Sequence, residues 1–110
     1  TTATTPIILF EKAPPRELAT NDLRGVTCLS LHWTQDLNKA TSAFRGSYAL
    51  QGNLNPEILK SDDKKIEKAV HTILEEISDY PGFIFNLGHG ITPDIEPGKV
   101  QLMIDLIRNN

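Results

Sequence analysis

The chain has 110 residues, 39% apolar and 23% charged, with 7 Gly and 7 Pro. That balance suits a globular domain with one core and excludes a disordered tail, a collagen-like repeat or a pair of domains. Eleven basic against 14 acidic residues leave a net charge of −3, and a mildly acidic chain without a basic stripe is a poor partner for nucleic acid or an anionic membrane.

Thr1 to Thr5 has neither a basic n-region nor an apolar h-region, so it does not read as a signal peptide. Pro6-Ile7-Ile8-Leu9-Phe10 is a short apolar run and predicts a strand buried on both faces. Pro14-Pro15 stops it, and residues 15–23 predict a short helix with proline in its first turn. Val26 to Leu31 predicts a second strand, Leu37 to Phe44 a helix of about two turns, and Ser47 to Gln51 a third strand. Ile66, Ala69, Val70, Ile73, Leu74 and Ile77 then repeat at the spacing of one helical face, with Ser61 or Asp62 as its cap. Pro81-Gly82 ends that connection, and Phe83 to Leu87 predicts the fourth strand. Pro97 opens a last helix whose Val100, Met103 and Ile107 form an apolar face. The order βαβαβαβα implies an α/β fold with a mostly parallel sheet, and active residues are then expected at the C-terminal ends of the strands. No apolar run approaches the roughly 20 residues that span a bilayer.

Two of those strand ends are unusual. The third strand runs into Gln51-Gly52-Asn53-Leu54-Asn55-Pro56, and the fourth into Asn86-Leu87-Gly88-His89-Gly90-Ile91-Thr92-Pro93-Asp94. A histidine between two glycines is open on both sides, so His89 is a candidate ligand-facing residue. The dinucleotide fingerprint G-x-G-x-x-G fails because position 93 is proline. His32, His71, His89 and Cys28 make no C-x-x-C or H-E-x-x-H pattern, which argues against a zinc site. A single cysteine excludes an internal disulfide, and Cys28 within an apolar strand reads as a core thiol. His71 lies on the charged helix and reads as solvated, whereas His32 precedes Trp33 at the end of the second strand.

Taken together and in this order, the segments resemble the uroporphyrinogen decarboxylase family. Tyr48-Ala49-Leu50-Gln51-Gly52-Asn53-Leu54-Asn55-Pro56 is similar to its ALQGNLDP segment, and Phe83-Ile84-Phe85-Asn86-Leu87-Gly88-His89-Gly90-Ile91 to its IFNLGHGI segment. Leu29 to Thr34 resembles its GLDWT segment, and Thr5 to Lys12 the strand before it. The resemblance implies that residues 1–110 are the C-terminal half of a (β/α)8 TIM-type barrel, a (βα)4 unit of parallel strands. It implies an enzyme that removes the four acetate carboxylates of uroporphyrinogen III to give coproporphyrinogen III. The family works without a metal or organic cofactor, in the cytoplasm, and usually as a homodimer.

On this resemblance His89 corresponds to the family's histidine near the substrate carboxylates. The catalytic aspartate belongs to the N-terminal part of the family barrel, so no catalytic residue is expected within these 110 residues. The expected partners are the tetrapyrrole substrate, the remaining half of the barrel and a second copy. This chain departs from the family at three places: His32 stands where the family has an aspartate before tryptophan, Asn55 where it has an aspartate before proline, and Ala13-Pro14-Pro15 where it has a glycine-rich stretch. These departures suit an alternative reading, a non-catalytic paralogue that acts as an assembly partner. A corrinoid-linked methyltransferase of the same superfamily is a further alternative. It would need zinc held by His and Cys, and the lone Cys28 argues against it.

Overall fold

Apolar runs too short for helices, alternating with amphipathic segments, find cover only in a sheet with helices packed on it. In the computed structural model, which describes residues 5–11 and 25–109, four strands make one sheet in the order β1-β2-β3-β4. They are β1 (Ile8–Glu11), β2 (Cys28–Leu31), β3 (Ala49–Leu54) and β4 (Phe83–Leu87). Each neighbouring pair is parallel, with Leu9 opposite Leu29, Leu29 opposite Leu50 and Leu50 opposite Phe83. The helices among the described residues are α1 (Leu37–Phe44), α2 (Asp63–Glu76) and α3 (Pro97–Arg108), with a 3-10 turn over Pro56–Lys60. The expected α/β architecture with a parallel sheet is what forms. The helix expected over residues 15–23 and the Ala13-Pro14-Pro15 segment lie outside the described residues.

Caps set the helix starts. The Asp36 carboxylate accepts from the amides of Asn38 and Lys39 at 2.9 and 3.3 Å, and Asp62 accepts from Lys65 at 2.9 Å. Each satisfies amides that the first helical turn leaves without a backbone partner. Ile66, Val70 and Ile73 of α2 then point into the core. There they meet Leu29, Leu31, Leu50 and Leu54 from one face of the sheet and Phe44 from α1. Tyr80 closes the lower end of this core, where its hydroxyl donates to the carbonyls of Phe44 and Tyr48.

The other face of the sheet is built differently. Phe10, Ser30, Gln51 and Ile84 form one transverse row across the four strands, and Gln51 Nε2 donates to Ser30 Oγ at 2.9 Å. The burial expected for the first strand is therefore corrected: Ile8 and Phe10 are 49% and 45% exposed. The physical reason is position. β1 is an edge strand, and only Leu9, pointing the other way, reaches the helix-covered core. Ile84 on the opposite edge is 46% exposed for the same reason.

Candidate functional site

The C-terminal ends of β2, β3 and β4 are tied together by backbone and amide hydrogen bonds. The Gly88 amide donates to the Leu54 carbonyl at 2.8 Å, and the Trp33 amide donates to the Gly88 carbonyl at 3.2 Å. The second bond crosses over the tip of β3 to join the segments that follow β2 and β4. Only glycine fits there, because a Cβ at position 88 would lie 2.3 Å from the Trp33 nitrogen and 2.7 Å from its Cα. Gly52, one turn of the pleat earlier, has φ +138° and faces the Leu31 carbonyl, which a Cβ would approach to 3.0 Å.

Asn53 fixes the loop after β2. Its Nδ2 donates to the carbonyls of Gln35 and His32 at 2.8 and 3.3 Å. Gln35 returns the support: its Oε1 accepts from the His32 amide at 3.1 Å. Both side chains are buried, so these bonds form in a low-dielectric setting where an unmade one is costly.

This frame presents two imidazoles. His32 is buried and His89 exposed, with ring centroids 5.6 Å apart and an edge-to-face angle of 86°. The His32 ring also lies 5.3 Å from Trp33 and 6.2 Å from Phe10. The Thr34 amide donates to His32 Nδ1 at 3.2 Å, and Thr34 Oγ1 lies 2.7 Å from the same nitrogen. A backbone amide can only donate, so Nδ1 is an acceptor and the neutral ring carries its proton on Nε2. His89 opens onto a cavity of about 560 Å³ lined by Phe10, Ser30, Asn86, Ile91 and Met103. A neutral imidazole there donates one hydrogen bond, and an imidazolium pairs with a carboxylate.

Beyond His89 the loop is pinned by charge. Asp94 accepts from Lys60 at 2.6 Å and from Thr92 at 2.5 Å, and Lys60 also bridges Glu57 at 2.9 Å. The Lys60 ammonium, and then the Thr92 hydroxyl, hold the Asp94 carboxyl below its ordinary value. A folded value below the unfolded one means that the bridge supports the loop above the ordinary carboxylate pKa. That support is lost as pH falls through the lowered folded value. Protection of the amides across residues 88–96, taken relative to their intrinsic exchange rates, is therefore expected to fall at acid pH in the native protein and to lose that extra pH dependence in Asp94→Asn. Both side chains are solvent-facing, so raised salt should shrink the difference. An acid response identical in the two proteins would refute this role.

The remaining residues singled out from sequence fall as follows. His32 and His89 are brought together, whereas His71 is exposed on α2 and away from them. Cys28 is buried, and burial pushes its thiol up, the opposite of what a nucleophile requires. Asn55 caps the 3-10 turn: its Oδ1 accepts from the Glu57 amide at 3.0 Å. Asparagine and aspartate cap about equally well, so this position keeps its local structural task. Among the described residues no three His, Cys, Asp or Glu side chains converge as a metal centre would need. No helix among them is long and apolar enough to cross a membrane. Gln35 and Lys60 carry no local sequence signal, and Trp33 stood out only as the neighbour of His32 in a family-like segment. Asn53 lay within a segment marked as an unusual strand end, but its partners are 18 and 21 residues away.

Comparison with known proteins gives a consistent result. The family model described as Uroporphyrinogen decarboxylase (URO-D) matches residues 1–110. Among curated relatives, the uroporphyrinogen decarboxylase of Tolumonas auensis is 38% identical over 104 residues, 94% of this chain and 29% of its own length. That of Teredinibacter turnerae is 41% identical over 102 residues, 93% of this chain and 29% of its own length. That of Legionella pneumophila (strain Corby) is 40% identical over 102 residues, with the same two shares. The chain thus spans less than a third of the length of these relatives.

Proposed function

This chain belongs to the uroporphyrinogen decarboxylase family, and on that premise we propose that it is the C-terminal part of a cofactor-independent decarboxylase. In the reaction read here, the barrel that includes this part converts uroporphyrinogen III to coproporphyrinogen III in the cytoplasm. Protonation of a pyrrole carbon turns the ring into an electron sink whose positive charge an aspartate outside this chain stabilises; CO2 leaves, its bonding pair forms an exocyclic C=C bond, and protonation of that exocyclic carbon with loss of the ring-carbon proton gives the methyl group. The contribution of these residues is positioning and carboxylate recognition, with His89 as the substrate-binding residue. The observation that carries the reading is the placement of His89: an exposed imidazole at a strand's C-terminal end, over a cavity, on a backbone clamped to Trp33.

The test is assay of the full-length protein with uroporphyrinogen III. His89→Ala is expected to raise KM about tenfold, about 1.4 kcal/mol of lost binding. Wild-type protein that forms no coproporphyrinogen would overturn the enzymatic reading. The reading of a non-catalytic assembly partner rests on one observation, that His32 stands in place of an acid with its Nδ1 already engaged by Thr34.

The remainder of the barrel is read as the partner of β1 and β4. Both are sheet edges, and Ile7, Ile8, Phe10 and Ile84 leave apolar surface beside them. Open parallel edges with exposed apolar side chains recruit further strands. Purified as these 110 residues alone, the chain is expected to scatter light as a dimer or larger species. A stable folded monomer that keeps this sheet would rule out the expectation.

A further inference from the structure

The sheet face turned away from the core carries a polar pair between apolar neighbours. Ser30 and Gln51 lie side by side, flanked by Phe10 and Ile84, and Gln51 Nε2 donates to Ser30 Oγ at 2.9 Å. Aligned on Trp33, Ser30 falls at the glycine of the GLDWT segment, a further difference from it, so the hydroxyl is this chain's own addition. A hydroxyl that loses water has to recover its hydrogen bonds from what surrounds it.

Ser30 recovers only part of them. It is 5% exposed and lines the cavity onto which His89 opens. Its oxygen accepts from Gln51, but its hydrogen meets no acceptor among the described residues. Reversing the Gln51 amide moves the deficit without removing it: Oε1 would take the Ser30 hydrogen, and the two amide hydrogens would be left over. In either setting the pair has a hydrogen to give. With the amide donating, its bond also polarises the hydroxyl and strengthens it as a donor.

The rest of the polar lining matches. Asn86 Oδ1 accepts from the Leu87 amide at 2.8 Å, so the same side chain turns its Nδ2 hydrogens elsewhere. His89 supplies a ring N–H. None of the described side chains that line the cavity is acidic, and Phe10, Ile91 and Met103 give it apolar walls. Donors gathered in an apolar wall suit an anionic acceptor.

We propose that Ser30, held by Gln51, is a substrate-binding residue that donates its hydroxyl hydrogen to a carboxylate side chain of the ligand in the His89 cavity. The ligand is taken from the decarboxylase reading, on which this assignment rests: a tetrapyrrole with acetate and propionate arms. Ser30 adds to His89 a second, uncharged donor.

Steady-state assay of the full-length protein with uroporphyrinogen III and anaerobic calorimetric titration with coproporphyrinogen III test it. The first ligand carries acetates and propionates, the second propionates only. Ser30→Ala is expected to raise the uroporphyrinogen KM about tenfold, with kcat changed less than about twofold. Its denaturation midpoint should match wild type, because Gln51 is part-exposed and finds water once Ser30 Oγ is gone. Gln51→Glu turns the pair round: the new carboxylate takes the Ser30 hydrogen and adds a like charge, so KM should rise further than in Ser30→Ala. Weaker coproporphyrinogen binding by Ser30→Ala assigns the contact to a propionate. Unchanged coproporphyrinogen binding, with the KM effect kept, assigns it to an acetate. An unchanged KM in Ser30→Ala, a loss confined to kcat or to stability, or a Gln51→Glu variant with wild-type KM would each overturn the proposal. If wild-type protein forms no coproporphyrinogen, the decarboxylase reading fails by itself. Uroporphyrinogen III then persists on the protein and is titrated directly, and an equal Kd in wild type and Ser30→Ala overturns the proposal as well. Wild-type protein that binds neither tetrapyrrole overturns both.

Discussion

Gly88→Ala is expected to dismantle the strand-end crossing. The added methyl would lie 2.3 Å from the Trp33 nitrogen and 2.7 Å from both its Cα and Cβ, and the obstructing atoms are mainly backbone, which cannot rotate aside. Relief requires the two segments to separate, and that breaks the Trp33 to Gly88 bond and strains the Gly88 to Leu54 bond. Overpacking that moves backbone and breaks a buried hydrogen bond costs about 3 kcal/mol or more. A chemical-denaturation series on the full-length protein would read the loss directly. Because His89 is the next residue, activity should fall further than stability alone accounts for, even at a temperature where the variant remains folded. A variant within about 0.5 kcal/mol of wild type, with unchanged KM, would show that the crossing has slack.

Leu50→Ala carries the second large effect. Leu50 sits at 0% exposure on β3, an inner strand, with β2 and β4 on either side and helices over it. Truncation removes three carbons from a site whose walls are sheet backbone and the packed side chains of two helices, so little collapse can follow. The expected cost is about 3–5 kcal/mol, a large share of the roughly 5–15 kcal/mol that holds a domain of this size together. The same change at Ile84, 46% exposed in the row that β4 shares with Phe10, Ser30 and Gln51, should cost under about 1 kcal/mol in the isolated sheet. A much larger cost at Ile84 in the full-length protein would mean that other residues pack on that row there. Equal small losses at both positions would contradict the core described.

The elements whose boundaries the sequence foretold are those with local punctuation. The expected helix Leu37 to Phe44 matches α1 at both ends because Asp36 caps one and Arg45-Gly46 stops the other. The expected Phe83 to Leu87 matches β4 after Pro81-Gly82. In α2 the apolar stripe begins at Ile66, but the helix begins at Asp63. Its first turn is polar and faces solvent, so hydrophobic periodicity is silent there and the Asp62 cap alone marks the start. β3 runs to Leu54 rather than stopping at Gln51. Gly52 and Asn53 look like a turn in sequence, yet Gly52 is needed for close approach to Leu31, and the Asn53 amide finds two carbonyls on the loop after β2. The 3-10 turn over Pro56–Lys60 was not among the expected elements; it starts at Asn55-Pro56, a cap followed by proline at the first helical position.

The site divides along the same line. His89 stood out through its own flanking glycines. The grip on it did not, because Gly88 meets Trp33 across 55 positions of chain, and no spacing rule reaches that far. His32 was noticed as a departure from the family, but its tautomer and its contact with His89 follow from Thr34 and from the fold. The lack of a partner at Gln35 Nε2 is visible only once burial is known.

The four-strand order also fixes a symmetry. β1 and β4 are different edges of one parallel sheet, so any contact between copies that joins them is head-to-tail rather than self-complementary. Such a contact either closes on itself or continues without limit. Two copies bring eight strands, the number at which a parallel barrel closes with its interior filled by side chains. Two-fold closure and an open filament are thus the two geometries that a β1-to-β4 contact most directly offers this sheet.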